Sequence, residues 1–505
     1  MSWIPGSRRG ALARFALGAA IVIVFTATTT AVAGLLQFKQ LATDLSATPA
    51  IRHAQVTIPN PGDAQTILIL GSDHRAHTPL SASNSDTIIL VRMDPNSSTI
   101  NVISIPRDLQ VQIPVPGGGV QTAKINAAYS LGGPNLVVKT LKANVFPGLA
   151  VNHIVDINFA GFRDLVNAIG CVYTDVDHHY FNQNIGTAAT NYSSIDIAAG
   201  YQKLCGDDAL AYVRYRHTDT DIVRSARQQD FIRQAKDQYG QSNLISNRDR
   251  LLRIFGQHTQ TDPNLHTTDG LINLFNLVAF SDAHSIREVH FPANLLPCTP
   301  TACFVSADPG AEAQAFRQFM AVVPAATAPA AGGAPAGGSG AKPAPGPGSS
   351  PAAAGLSADV GDGRTQAAAL PHAGMPVYFP RLLVAGSQYD GPTAGEYPRG
   401  YTIADPRGRR YAAYRMVVVL NPILGQYYGV QGTTWASPPL LASPSETRVL
   451  NGRTLELFFD GHKLRLVAWR GPHGVYWVSN TLSLDLTNAQ MLGVAGSLVR
   501  IGAGA

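Results

Sequence analysis

Between Gly71 and Gln228 the chain carries short polar motifs whose side chains suit the binding of phosphate groups. Gly71-Ser72-Asp73-His74-Arg75 follows an apolar run and sets a carboxylate beside a guanidinium; Asn84-Ser85-Asp86-Thr87 opens the next run, and Pro106-Arg107-Asp108 closes the one after it. Two acids held at one rim repel unless a cation lies between them. A hard, oxygen-ligated site with few protein carboxylates suits Mg²⁺, which keeps waters and takes phosphate oxygens as ligands. Further on, Arg214, Arg216, Arg224 and Arg227 crowd into one short stretch of a charge-poor chain, with Arg224 and Gln228 spaced i,i+4. Guanidinium forks match phosphate oxygens two at a time, so the cluster implies a ligand with several of them. Taken singly, each acid reads as a turn cap or surface ion pair, and the arginines as a solvated helix face. The signal lies in the set.

These residues need elements to bring them together. Strand-like apolar runs at 66–70, 87–93, 100–105, 153–157 and 171–177 alternate with helix-like stretches at 134–144, 159–169, 207–214 and 222–238. That pattern predicts an α/β fold, an α/β/α layered domain around a largely buried sheet. The turn Asp94-Pro95-Asn96-Ser97 folds run 87–93 back onto 100–105. A hairpin centred between Asn96 and Ser97 pairs position 86 with 107, so Asp86 and Arg107 should be neighbours. If run 66–70 lies parallel to 100–105, Asp73 and Arg75 reach the same edge, where open α/β sheets bind ligands.

The whole chain has 505 residues, 45% hydrophobic and only 14% charged, with a net charge of +5. This excludes a polybasic nucleic-acid binder and a chain disordered throughout. Residues 1–14 hold Arg8, Arg9 and Arg14 and no acid; the uncharged run 15–37 then has the length of a membrane helix. Arginines before the run place the N-terminus in the cytoplasm and the remainder on the cell-wall side. Ala31-Val32-Ala33 keeps a cleaved signal peptide open as the other reading. Outside the cytoplasm the four cysteines can form two disulfides, expected as Cys171–Cys205 and Cys298–Cys303 from proximity in sequence. An Ala/Gly/Pro/Ser-rich linker is expected at 324–363, dividing a domain at 60–323 from a small β-rich accessory domain at 370–505 with one terminal helix. Trp435, Trp469, Trp477, Tyr427, Tyr428 and Tyr476 in that second domain read as core, and His178-His179 as a loop feature.

In order along the chain, the motifs Gly71-x-Asp73-x-Arg75, Ser85-Asp86-Thr87, Ile105-Pro106-Arg107-Asp108, Lys124-Ile125-Asn126, Arg214-x-Arg216 and Asp221-x-x-Arg224-x-x-Arg227-Gln228-Gln229 resemble the LytR-CpsA-Psr family of membrane-anchored cell-envelope phosphotransferases. The likeness spans 66–239. It implies an enzyme that moves a glycopolymer from a polyprenyl-pyrophosphate carrier onto peptidoglycan or another wall acceptor, with Mg²⁺, releasing polyprenyl phosphate. By that resemblance Asp73 and Asp86 would hold the metal, Arg75, Arg107, Arg214, Arg216, Arg224 and Gln228 would grip the pyrophosphate, and Lys124, Asn126 and Arg227 would support them. Asp73, Asp86 and Arg107 are the expected catalytic set. The base that would deprotonate the acceptor hydroxyl stays unassigned, because one carboxylate cannot easily be tight metal ligand and free base together. The same clamp would serve a Mg²⁺-dependent polyprenyl-pyrophosphate hydrolase or a non-catalytic receptor for the lipid pyrophosphate. A polyprenyl tunnel lined by helix 159–169 with Leu131, Leu136, Val137 and Leu141 competes with plain core packing for the same residues.

Overall fold

The computed structural model describes residues 50–73, 83–115, 117–185, 194–239, 257–281, 284–298, 303–324, 354–370, 374–391 and 398–502, besides Thr43 and positions 250, 251 and 254. The proposed membrane segment 15–37 and Arg75 lie outside them. Among the described residues no helix is long and apolar enough to cross a membrane.

Six strands form the central sheet: β1 (Gln65–Ser72), β2 (Ser85–Met93), β3 (Thr99–Ser104), β4 (His153–Asn158), β5 (Thr259–Thr261) and β6 (Ser285–Val289). Their order across the sheet is β5-β4-β1-β2-β3-β6. β1 runs antiparallel to β2, and β2 antiparallel to β3, so β1 and β3 end at one edge. Hairpin pairs Ile89–Ser104 through Arg92–Asn101 carry the register expected from the Asp94–Ser97 turn.

Alternation along the strands feeds two cores. Leu68, Leu70, Ile88, Leu90 and Ile103 face helix α1 (Ala127–Thr140) and a helix at Pro309–Met320. Ile67, Ile89, Met93 and Val102 face the other way, against Leu277 and Ile232. The sheet is therefore mixed, with helices on both faces. Leu136, Val137 and Leu141 belong to the first core and are buried, while Leu131 is exposed. Helix α2 (Phe159–Ala168) packs through Val166 in a separate cluster.

Two further helices carry the arginines: α3 (Gly206–Arg214) and α4 (Asp221–Gln238), the latter capped by the Thr220 hydroxyl accepting from Val223 N. The run expected at 171–177 forms Val172–Val176, which pairs with Gly200–Leu204 outside the central sheet. Both expected disulfides, Cys171–Cys205 and Cys298–Cys303, are present.

The C-terminal region is β-rich, built on an eight-stranded sheet with one late helix, Asn488–Gly496. It begins earlier than composition suggests. Leu356–Ala358 pairs with Leu382–Val384, and Asp359 caps a helix at Val360–Ala368. The strand pairing and the cap supply structure that an Ala/Gly count does not register, so the expected linker end at 363 falls inside folded chain. Trp435, Trp469, Trp477, Tyr428 and Tyr476 are buried. Several of them face the first domain: Trp477 and Trp435 share a cluster with Tyr173 and Tyr201, and Trp477 Nε1 donates to Asp175 Oδ2 at 3.1 Å. Arg415, wholly buried, lies 3.3 Å from Asp175 Oδ1. Tyr427 stacks on the His178 ring with centroids 4.0 Å apart.

Candidate active site

The edge where β1, β2 and β3 meet gathers the polar motifs. Gly71 allows the approach: a Cβ there would lie 2.9 Å from Thr87 Cβ, so any side chain would push β1 off β2. Just beyond, Asp73 N donates to Asn84 O at 3.2 Å and Asp73 Oδ1 accepts from Asn84 N at 2.6 Å, which fixes Asp73 beside the strand carrying Asp86.

Asp86 is held by two arginines. Arg107 Nη1 donates to Asp86 Oδ1, and Arg214 Nη2 lies 3.6 Å from Oδ2. The Arg214 guanidinium is itself stacked 3.9 Å over the Phe159 ring at the start of α2. Burial pushes the Asp86 carboxyl up, but Arg107, Arg224 and Arg214 together outweigh it and hold the group below the ordinary aspartate range. Burial likewise opposes the charge on Arg107, and Asp86, Asp221 and Asp108 overcome it, raising its pKa.

Asp108 is a second hub. Its Oδ1 lies 2.8 Å from Lys124 Nζ and its Oδ2 2.5 Å from Arg216 Nη2. Lys124 arrives because its strand pairs Gln110 with Lys124, and Asn126 N donates to Arg107 O at 3.3 Å. Asp221 joins both hubs: Asp108 N donates to its Oδ2 at 3.3 Å, Arg224 bonds its Oδ1, and Arg107 Nε lies 4.0 Å away. Gln228 Nε2 donates to Thr87 Oγ1 at 3.0 Å and to Val213 O at 3.1 Å, tying α4 to β2 and α3.

The Nε groups of Arg107, Arg214 and Arg224 are buried with no hydrogen-bond partner among the described residues. The same holds for the Nε groups of Arg233, Arg415 and Arg465, where the two domains meet.

A family model described as the LytR_cpsA_psr family matches residues 32–308, more than half of the chain. The chain belongs to that family. It is 32% identical over 208 residues to TagV of Bacillus subtilis, named a polyisoprenyl-teichoic acid–peptidoglycan teichoic acid transferase; the match covers 41% of this chain and 51% of that protein. It is 33% identical over 221 residues to TagU of Halalkalibacterium halodurans, of the same name, covering 42% of this chain and 64% of the relative. The chain thus spans about half to two thirds of these relatives' own length. The crystal structure of B. subtilis TagV aligns at 24% identity and a TM-score of 0.40, covering 51% of this chain and 96% of that one.

Within the LytR_cpsA_psr domain, the motif residues divide by placement. Asp86, Arg107, Arg214, Arg216, Arg224, Gln228 and Lys124 come together. Arg227 turns inward, although it is only three residues from Arg224: its guanidinium bonds Asp219 and the carbonyl of Tyr215 at 2.8 Å, among the rings of Tyr180, Tyr212 and Tyr215. It braces the loop before α4 and does not reach the clamp. Asp108 and Asp221 lie in the sequence motifs, yet their hub role depends on partners from other elements. Tyr129 and Asp156 carry no motif signal. The Tyr129 hydroxyl donates to the buried Asp156 Oδ2 at 2.5 Å, and burial and that carboxylate raise the phenol's pKa well above the ordinary tyrosine value.

Proposed function

We propose that this chain is a glycopolymer phosphotransferase. It would move a glycan from a polyprenyl-pyrophosphate carrier to peptidoglycan or another wall-glycan acceptor and release polyprenyl phosphate. The observation that supports this reading best is the convergence of Arg107, Arg214 and Arg216 on the Asp86 and Asp108 carboxylates at the strand ends, with Arg224 beside them. Two relatives named as teichoic acid transferases support the same class.

The arginines bind the pyrophosphate and neutralise its charge as it redistributes. The acceptor oxygen forms a new bond to the glycan-side phosphorus, the bridging P–O bond breaks, the lipid phosphate leaves, and the hydroxyl proton is lost. Asp73 and Asp86 fit Mg²⁺ as hard oxygen donors at adjacent strand ends, with Asp86 kept anionic by its arginines. A bound Mg²⁺ would neutralise phosphate charge and orient the leaving group. With its pKa depressed, Asp86 is a poor general base at neutral pH. Anchoring by an N-terminal membrane helix, with the domain on the cell-wall side, completes the proposal.

The test incubates the protein with a polyprenyl-pyrophosphate oligosaccharide, Mg²⁺ and a glycan acceptor. Joined product that disappears on chelation is expected. Free phosphorylated glycan without joined product points to the hydrolase and overturns the transferase; tight binding without turnover points to a receptor.

A further inference from the structure

One hairpin of the β-rich domain reaches the helix that carries the clamp. Its strands, Arg410–Asn421 and Gln426–Thr433, pair antiparallel and turn through Pro422-Ile423-Leu424-Gly425. Gly425, at φ +61°, sits against α4: a Cβ there would lie 2.8 Å from Val223 Cγ2. Val223 is flanked in the helix by Asp221 and Arg224. Asn421 Oδ1 accepts from Ile423 N at 3.1 Å and from Leu424 N at 3.2 Å, which fixes the backbone of the tip.

Tips that face water are ordinarily built from Gly, Asn, Asp, Ser and Pro. This one presents Ile423, 75% exposed, and Leu424, 42% exposed. No charged residue occurs between Arg415 and Glu446, so the hairpin brings no charge that a lipid surface would have to desolvate. A third large apolar side chain, Phe181, is exposed on the strand Tyr180–Asn182, and its carbonyl accepts from the Tyr215 hydroxyl at 3.4 Å, next in sequence to Arg216 of the clamp. Exposed apolar side chains gathered in this way mark a contact surface.

A separate observation gives the direction of the membrane. Ile51 N donates to Thr261 O at 2.9 Å and Thr57 N to Val151 O at 2.8 Å. Thr261 lies level with Val155 of β4, and β4 runs toward the clamp edge, where Asn158 pairs with Ser72 of β1. Residues 51–57 therefore run away from that edge. Their N-terminal end, the one nearer in sequence to the proposed anchor at 15–37, points toward it.

We infer that the tip Ile423–Leu424 rests in the interfacial layer of the bilayer and sets the mouth of the clamp at headgroup height. The inference rests on the membrane-anchored reading above; the exposed tip and its seat on α4 do not. A polyprenyl carrier keeps its chain in hydrocarbon and its pyrophosphate in water, so headgroup height is where the clamp must meet it. Two apolar side chains hold a surface too weakly to anchor a protein, so the hairpin orients a domain that is already tethered.

The experiment places the full chain in vesicles of phosphatidylethanolamine and phosphatidylglycerol, with an environment-sensitive fluorophore on Ile423→Cys. All four native cysteines are in disulfides, so the probe marks one site. Val449→Cys, 70% exposed at the far edge of the same sheet, is the comparison, and Leu424→Cys repeats the test if the first variant melts early. Spin-labelled lipid should remove most of the emission at 423 and little at 449. Equal quenching at both positions overturns the contact. A blue-shifted label at 423 that ignores the spin-labelled lipid also overturns it, and points to a second copy or another protein on the tip. A water-exposed label on a chain that resists alkaline carbonate extraction overturns the hairpin contact and leaves the anchor standing. Release of the chain by carbonate overturns the anchor, and the contact with it.

Discussion

Asp86, at the start of β2, and Arg107, just past the end of β3, are joined by a charge-assisted hydrogen bond across the open end of their hairpin. The strand register leads directly to this pair, because the ladder from Arg92–Asn101 to Ile89–Ser104 continues outward onto positions 86 and 107. A phosphate ligand at the proposed site would compete with Asp86 for the same fork.

Arg107→Ala should lower transfer about 100-fold or more, the scale for removing one donor that stabilises developing charge. Because Arg214 still faces Asp86, the fold should survive with a loss of about 1–3 kcal/mol. Arg107→Lys should also be impaired, since a point charge cannot reproduce the fork. Transfer rates and thermal melting of both variants check this.

Asp86 gives stability a defined acid dependence. Its folded pKa is below the unfolded value of about 4, so its contribution is fully present above that pH and is lost as pH falls through the folded pKa. The stability gap between wild type and Asp86→Asn should stay constant from pH 7 to about 5 and narrow below about 4. Denaturant titrations across that range measure it.

The domain seam should unfold as one unit. Asp175→Ala leaves the buried Arg415 without its counter-ion and Trp477 Nε1 without its acceptor, at a cost of about 3–5 kcal/mol. Asp175→Asn with Arg415→Met should recover much of that loss. Calorimetry should give a single transition in the wild type, shifted to lower temperature in Asp175→Ala.

The two disulfides should differ in worth. Cys171–Cys205 closes a sequence separation of 34 and Cys298–Cys303 one of 5. Chain-entropy arithmetic assigns them about 4 and about 2 kcal/mol. Paired Cys→Ala variants, unfolded in denaturant, should keep that order.

Much of the site is readable in the sequence wherever local arithmetic decides geometry. A four-residue turn sets a hairpin register, so Asp86 and Arg107 were placed together by counting. Period-2 and period-3.6 patterns located β1 to β4 and α2 to α4 to within a few residues, since burial of one face dictates them. Cysteine proximity paired the disulfides.

Tertiary structure alone decided the rest. Arg224 and Arg227 share a helix turn, and only the packing of α4 sends one to the clamp and the other among tyrosines. Asp108 becomes a hub because Lys124 and Arg216 converge on it from different elements. Asp175 meets Arg415 across 240 positions, a pairing no periodicity encodes. Local sequence fixes which faces a segment can bury; which distant surface covers each face depends on how all the layers fit at once, and that fit set the clamp and the seam.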